Sequence, residues 1–294
     1  MHVSACVLCP HQCGADRENG EIGLCHVGDK IRIARAAPHH FEEPPISGTK
    51  GSGTVFFAGC SLSCLFCQNQ KISREAVGRA VDEEELAEIL LALADTGVHN
   101  LNLVTATHYT DRVARVLTRI KPRLKIPVVW NSSGYERPET LRLLQGLVDI
   151  YLPDFKYVSP TLSAAYSGAP DYCRYATAAI AEMYRQVGPV SFDENGILQR
   201  GLVIRHLVLP GCRENAAAVL KTISDTVPTA HIRLSLLRQY TPDFAPRSAP
   251  KNLLRRVTTY EYEQVLKKAL LLDFDGFKQK KGSATVGYTP DFDI

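Results

Sequence analysis

The chain has 294 residues, of which 45% are apolar and 22% charged, and its net charge is +3. This ordinary globular composition can bury a sizeable core, and the small net charge argues against nucleic acid or an anionic membrane as a partner. Apolar runs are far shorter than the roughly 20 residues that cross a bilayer, and the first residues lack a secretory signal pattern. Together with cysteines that fall mainly into metal-like clusters, this leads us to expect a protein of the reducing cytoplasm.

The first predicted unit is a cysteine-rich lobe. Its four cysteines lie in a segment rich in Gly, Asp and Asn, which favour tight turns over helices. These cysteines are Cys6, Cys9, Cys13 and Cys25. Four thiolates on turns can enclose a metal completely, as in a structural zinc site or a fully ligated iron–sulfur cluster, and four reduced thiols in a small core are the alternative. We predict a metal-binding lobe and linker over residues 1–45 and a second domain over residues 46–294.

A second set of cysteines follows the next apolar, strand-like run, residues 54–58. Cys60, Cys64 and Cys67 have C-x3-C-x2-C spacing, and Phe66 precedes the last of them. Three closely spaced thiolates can hold three irons of a cubane and leave the fourth iron open to a substrate. A structural zinc knuckle, or reduced cysteines in a core, would also explain these residues.

From this point strands and helices alternate along the chain. Apolar runs predict further strands over residues 100–105, 126–131, 148–154, 202–209 and 231–237, with helical patterns between them. Asp82 and Glu85 form a capping box that predicts the start of the first helix, and Glu194-Asn195-Gly196 predicts a turn or hairpin. Six strand–helix units predict an α/β fold with a parallel sheet and helices outside.

Polar side chains gather where these strands end. The candidates are Thr105, Thr107, Asn131, Asp154, Lys156 and Arg205. Asp154 and Lys156 fall on one face of an extended segment, and an arginine such as Arg205 can hold a carboxylate with two parallel hydrogen bonds. A surface ion pair, turn residues and a structurally paired arginine are the alternatives. His108 is either a proton carrier with a pKa near neutrality or a hydrogen-bonded structural histidine.

The cysteine spacing with an aromatic residue before the last cysteine resembles the radical SAM superfamily. The resemblance implies a partial (βα)6 TIM-like barrel with a small N-terminal lobe that contains the first four cysteines. It also implies a [4Fe–4S] cluster on Cys60, Cys64 and Cys67, whose open iron binds S-adenosylmethionine (SAM). Catalytic residues would then lie at the carboxyl ends of the strands.

Within that superfamily the chain looks like homologues of pyruvate formate-lyase activating enzyme. Asp154-Phe155-Lys156 and the segment from Ile204 to Gly211 are similar to motifs of those enzymes. The likeness implies that Arg205 meets the SAM carboxylate, that Asp154 and Lys156 arrange polar groups of SAM, and that the peptide at Phe66 faces the adenine.

The ends of strands two, three and six depart from the family pattern, strand six only in part. Thr105 and Thr107 stand where a Gly-Gly-Glu-like segment binds the SAM amino group in much of the superfamily. Asn131 stands where the activating enzymes have an acid. These three residues are therefore predicted to bind the cofactor through hydroxyl, amide or backbone groups.

Three functions compete as interpretations of these motifs. The first is reductive cleavage of SAM to a 5′-deoxyadenosyl radical that activates a glycyl-radical protein. The second is the same chemistry on a small molecule or another protein, and the third is a non-catalytic metal-binding or redox-sensing role. The enzymes would need SAM and a reductant such as flavodoxin or ferredoxin, with no nucleic acid or membrane partner.

Overall fold

The computed structural model describes residues 5–279 of the chain. Its strands are β1 (Ile31–His39), β2 (Ser52–Phe57), β3 (Arg79–Val81), β4 (Leu101–Val104), β5 (Val128–Ser132), β6 (Ile150–Pro153), β7 (Ser191–Phe192), β8 (Leu198–Leu207), β9 (Arg233–Leu237) and β10 (Gly276–Lys278). Its α-helices are α1 (Pro44–Ser47), α2 (Gln70–Ser73), α3 (Glu83–Asp95), α4 (Thr110–Ile120), α5 (Pro138–Leu141), α6 (Pro160–Ser167), α7 (Tyr172–Val187), α8 (Arg213–Thr226) and α9 (Thr259–Leu271).

One mostly parallel sheet organises these elements. Strands β2, β4, β5, β6, β8, β9 and β10 are parallel neighbours in that order, and within residues 5–279 the sheet order runs from β10 at one end to β3 at the other. Strand β1 pairs antiparallel with β2 and with β3. The predicted α/β fold is confirmed, and the carboxyl ends of the parallel strands meet at one edge, where a site can be built.

Local signals explain where the helices begin. The Asp82 side chain accepts hydrogen bonds from the N–H groups of Glu84 and Glu85, and the Glu85 side chain accepts one from the Asp82 N–H. This confirms the predicted capping box at α3. The helix then buries Leu86 and Leu90 against the sheet, and each such side chain contributes roughly 1.5–3 kcal/mol by burial.

Side chains that alternate along the strands give the sheet two faces, each with its own apolar cluster. In β5, Trp130 is buried in the large core on the helix side, while Val129 belongs to a smaller apolar cluster. The members of that smaller cluster are Ile46, Val129, Ile150, Leu152, Leu198 and Val203. Because successive side chains of a strand point to opposite faces, the polar residues Asn131 and Asp154 continue the face of this smaller cluster towards the strand ends.

Three features differ from, or add to, the sequence expectations. The predicted turn forms the β7–β8 hairpin, in which Gly196 has a positive φ of 75°. Strand β10 was not predicted, because its three residues carry no apolar run. Strand β1 lies in the main sheet although its residues fall within the predicted lobe and linker. The boundary between residues 45 and 46 stays a prediction. Within residues 5–279, none of the helices has the length and apolar character needed to span a bilayer.

Candidate metal centre and strand-end site

The second cysteine set lies in the loop between β2 and α2, at the carboxyl edge of the sheet. Cys60, Cys64 and Cys67 are all half-buried. The Cys67 sulfur lies 3.4 Å from the Ser73 hydroxyl oxygen, which places a hydroxyl from α2 beside this sulfur. The predicted ligands therefore lie together on one loop, next to the strand ends.

The other two sulfurs in this loop also have hydrogen-bond donors. The N–H of Leu62 donates to the Cys60 sulfur at 3.4 Å, and the Ser167 hydroxyl donates to the Cys64 sulfur at 3.1 Å. Donors of this kind stabilise thiolates and tune iron–sulfur clusters. The chemistry of the donor set therefore fits a cluster with cysteine ligands.

Burial works against free thiolates in this loop. Burial raises the pKa of Cys60, and the neighbouring Cys64 charge adds to the effect. Burial also raises the pKa of Cys64, although the Lys156 ammonium opposes that shift. Charged sulfurs here need a cationic partner, which a bound metal provides.

The cysteines lie near one another, but this does not mean that their sulfurs converge on one metal ion. Within the described range, residues 5–279, no three His, Cys, Asp or Glu side chains are arranged to hold one metal ion. In a cubane each thiolate binds its own iron, so the sulfurs need not converge on a single ion. Both cysteine sets remain predicted metal sites.

A buried ion cluster lies beside the cysteine loop. Arg205 in β8 donates from Nε to Asp154 Oδ1 at 2.9 Å and from Nη2 to Asn131 Oδ1 at 2.6 Å. The Lys156 ammonium contacts the other oxygen of the Asp154 carboxylate. Burial alone would raise the pKa of Asp154, but Arg205 and Lys156 outweigh it and hold that pKa below its usual value. The structure thus brings together four of the predicted site residues.

A glutamate from outside the strands completes this cluster. Glu42, between β1 and α1, accepts hydrogen bonds from Arg205 Nη1 at 3.4 Å, Asn102 Nδ2 at 2.8 Å and Asn131 Nδ2 at 3.3 Å. Its neighbour Glu43 is also buried, and burial raises the pKa of both carboxyls. Sequence reasoning missed these residues because they lie in a proline-rich segment that predicts only a linker.

The two threonines after β4 differ in their surroundings. Thr105 has a positive φ of 60°, which is unusual for a β-branched residue, and its N–H donates to the Asn131 carbonyl at 2.8 Å. Such backbone outliers cluster at functional sites. Thr107 is buried, and its hydroxyl donates to Glu136 Oε1 at 3.0 Å. Thr107 therefore supports the loop through its side chain, and its cofactor role stays a prediction.

Glu136 is a second buried carboxylate that the sequence did not reveal. It accepts hydrogen bonds from Trp130 Nε1 at 2.8 Å and from the Ser132 hydroxyl at 2.5 Å, besides Thr107. Burial raises the pKa of this carboxyl. It joins the ends of β4 and β5. A glutamate four residues after a strand-end serine was the available signal.

The aromatic residue of the cysteine loop contacts another strand end. The Phe66 ring packs edge-on against Tyr240, with 5.7 Å between ring centroids. Tyr240 follows β9, and its hydroxyl donates to the Leu253 carbonyl at 2.6 Å. The loop is thereby held between β2 and the far side of the sheet, and the predicted contact of Phe66 with adenine is untested.

The first cysteine set occupies a lobe that packs on the same edge. Cys9 and Cys25 are buried, and Cys6 and Cys13 are half-buried. Burial raises the pKa of Cys9 to about 11, and the charges of the other three cysteines add to the shift. The four thiols are therefore close enough to influence one another electrostatically.

His108 forms a buried hydrogen bond at the carboxyl edge of the sheet. Its Nε2 donates to the Ala58 carbonyl at 2.8 Å, and burial lowers its pKa to about 4. The imidazole is therefore neutral near pH 7, which favours the structural role over a proton carrier with a pKa near neutrality.

The fold and the site together define an α/β protein with a cysteine loop and a buried ion cluster at its strand ends. Residues 54–192 match the sequence model of the radical SAM superfamily, and this range includes Cys60, Cys64 and Cys67. The match covers residues 54–192 and makes this part of the chain similar to a superfamily whose members bind a [4Fe–4S] cluster and SAM.

One protein of similar sequence and one of similar fold can be compared with the chain. The chain is 28% identical over 281 residues to the uncharacterized protein MJ0674 of Methanocaldococcus jannaschii. The aligned region covers 92% of this chain and 75% of that protein. A radical SAM methyltransferase from Sphaerobacter thermophilus has a TM-score of 0.50 and 15% identity, covering 81% of this chain and 70% of the methyltransferase. The second likeness concerns the fold alone.

Proposed function

We propose that the protein is a radical SAM enzyme that cleaves SAM reductively and uses the 5′-deoxyadenosyl radical to abstract hydrogen from a substrate. The observation that carries this proposal is the loop with Cys60, Cys64 and Cys67 beside the Asp154–Lys156–Arg205 ion cluster. A reduced cluster, when bound, supplies the electron that breaks the carbon–sulfur bond of SAM. The chain itself supplies the ligands, the charges and the enclosure.

The charged side chains have separable roles in this proposal. Asp154 has two cationic partners, so it keeps Arg205 when Lys156 turns towards a polar group of SAM. Arg205 sets the position of Asp154 and Asn131, which present oxygen atoms to the amino group or the ribose. Thr105, with its strained backbone, places a carbonyl and a hydroxyl at the same edge.

The substrate in this proposal is a glycyl-radical protein. The likeness of Asp154-Phe155-Lys156 and of the segment from Ile204 to Gly211 to the activating enzymes supports this choice. The reductant would be a low-potential electron carrier such as flavodoxin or ferredoxin, and the compartment would be the cytoplasm. The N-terminal cysteines would hold a second metal, either zinc or an iron–sulfur cluster.

Anaerobic reconstitution with iron and sulfide tests the activity. We expect a reduced [4Fe–4S] EPR signal that changes when SAM is added, and formation of 5′-deoxyadenosine. Replacing Cys60, Cys64 and Cys67 with alanine should abolish the SAM-dependent change of the EPR signal and the formation of 5′-deoxyadenosine. Cys173→Ala is the matched control, because Cys173 lies on α7 outside both cysteine sets.

The outcomes separate the competing functions. A glycyl-radical EPR doublet in an added glycyl-radical protein supports the proposed substrate. SAM cleavage without that doublet supports a small-molecule or different protein substrate. Full SAM cleavage by the triple alanine variant would show that this loop does not carry the chemistry.

A further inference from the structure

The N-terminal lobe touches the chain immediately before and after Cys60. The Cys60 N–H donates to the Cys25 carbonyl at 3.3 Å. On the other side, His11 Nε2 donates to the Ser61 carbonyl at 2.8 Å. Two lobe residues, Cys25 and His11, therefore bind the peptide groups on either side of the Cys60–Ser61 peptide.

Gly59 makes this close approach possible. Its φ is +88°, and a Cβ atom there would lie 2.6 Å from the Cys25 carbonyl oxygen and 2.7 Å from Val27 Cγ1. No larger side chain fits at this position without moving the lobe or the loop. The backbone of the loop is thus shaped to receive the lobe.

Arg17 fastens the lobe to the neighbouring strand end. It is buried, and it donates from Nε to the Gly28 carbonyl at 2.7 Å and from Nη1 to the His108 carbonyl at 2.6 Å. Its guanidinium also lies over the Tyr109 ring, 5.4 Å from the centroid. A contact made by a buried charge of this kind fixes the position of the lobe.

The lobe has little regular structure of its own to maintain these contacts. Within residues 5–30, its regular structure is the 3-10 turn Arg17–Asn19. Two of its four cysteines, Cys9 and Cys25, are among its buried residues. Small lobes of this kind usually gain their stability from a bound metal.

We propose that residues 5–30, the cysteine lobe, clamp the loop segment 59–61, and that metal bound to the lobe thiols keeps the clamp closed. The inference rests on the proposed function, because the clamped segment contains one predicted ligand of the SAM cluster. The clamp makes retention of that cluster depend on a second site, which the superfamily assignment does not include.

His11→Ala tests the clamp without removing a thiol. We expect amide hydrogen exchange of residues 59–63 to become about tenfold faster, as for loss of one hydrogen bond in a locally opening segment. Loss of iron from the SAM cluster to a chelator should accelerate in parallel. Ile22→Ala, at an exposed lobe position, is the matched control and should leave both rates unchanged. Unchanged rates in His11→Ala would overturn the clamp.

The role of the lobe metal is tested where no SAM cluster can form. In the full chain with Cys60, Cys64 and Cys67 replaced by alanine, the residue 60 amide still faces the Cys25 carbonyl. Adding Zn²⁺ alone, or iron with sulfide, should slow exchange of residues 59–63 at least severalfold. If neither addition binds or neither slows exchange, the metal part of the proposal is wrong.

These readouts are independent of enzymatic activity. Failure of the proposed function would appear in the unmodified protein as the absence of a SAM-dependent EPR change. Failure of the clamp would appear in hydrogen exchange, whichever result the EPR experiment gives.

Discussion

Arg205 is the residue on which the buried charges at the strand ends depend most. Its guanidinium contacts Asp154, Asn131 and Glu42, and its side chain is only 17% exposed. Removing one partner of a buried ion pair costs roughly 3–5 kcal/mol, because the other charge stays buried without compensation. Any contact between Arg205 and the SAM carboxylate would therefore be additional to a structural role that the residue already has.

Alanine substitutions at Arg205 and Lys156 should separate structure from cofactor binding. We expect Arg205→Ala to lower the free energy of unfolding by roughly 3 kcal/mol or more and also to weaken SAM binding. Lys156→Ala should weaken SAM binding by about tenfold with a smaller loss of stability, since Asp154 keeps Arg205. Anaerobic calorimetry and denaturant unfolding measure the two effects.

The control for this pair is Lys267→Ala, an exposed lysine on α9. It removes the same charge away from the strand ends and should change neither SAM affinity nor stability appreciably. SAM affinity that is unaltered in both Arg205→Ala and Lys156→Ala would show that the roles taken from the activating enzymes are misplaced here.

At the scale of elements, Glu136 links β4 to β5. Its Oε1 accepts from Thr107 and Trp130, and its Oε2 accepts from Ser132. Both carboxylate oxygens are therefore used as acceptors in a buried position. Thr107 lies two residues after Thr105, and Ser132 directly follows Asn131. By binding Thr107 and Ser132, this carboxylate therefore fixes the distance between Thr105 and Asn131.

Glu136→Gln should destabilise the protein although it preserves shape. If the NH2 group takes the Oε1 position it faces the Trp130 N–H, and if it takes the Oε2 position the Ser132 hydroxyl loses its acceptor. An unpaired buried donor costs roughly 1–3 kcal/mol. The free energy of unfolding, measured by denaturant titration, should fall by that amount. Glu139→Gln is the control, since Glu139 is 59% exposed and 3.5 Å from Arg137. Equal stability of the two variants would contradict this account of Glu136.

Elements that depend on local sequence could be predicted. The Asp82 capping box, the hairpin at Gly196 and the strand that precedes Cys60 follow from neighbouring residues, and the structure contains all three. The spacing of Cys60, Cys64 and Cys67 is also a local feature, because all three lie in one loop. They could therefore be predicted from the sequence as a set of ligands.

Contacts between distant segments could not be predicted in this way. Glu42 enters the polar interior because Arg205, Asn102 and Asn131 converge there from three strands. Strand β10 exists because β9 offers an edge for its three residues, which have no strand pattern of their own. In both cases the decisive partner lies far away in the sequence.

At the scale of the whole molecule, two buried histidines link stability to pH. His206 Nδ1 donates to the Phe155 carbonyl at 2.7 Å, and His108 makes the comparable bond to Ala58. Burial lowers the pKa of each imidazole from 6.5 to about 4. Between those values the unfolded chain binds protons that the folded chain does not, so stability falls as pH falls through this window.

Buried carboxyls act in the opposite direction. Burial raises the pKa of Glu42, Glu43 and Glu136, so their contribution to stability is present at low pH and is lost as pH rises through the raised pKa values. The pH dependence of the protein's stability is therefore the sum of opposing contributions from the buried histidines and the buried carboxyls. A histidine variant is needed to isolate one of them.

His206→Asn should isolate the histidine contribution, since asparagine keeps an N–H donor for the Phe155 carbonyl and does not titrate. In metal-free protein, we expect acidification from pH 6 to pH 5 to reduce the stability of the unmodified chain relative to His206→Asn. The difference approaches about 1.4 kcal/mol per pH unit for one histidine, since the unfolded chain alone takes up the proton there. Denaturant titrations at half-unit pH intervals measure it. His40→Asn, at an exposed position, is the matched control for the substitution. Parallel slopes for His206→Asn and the unmodified chain would show that His206 does not stay neutral in the folded protein.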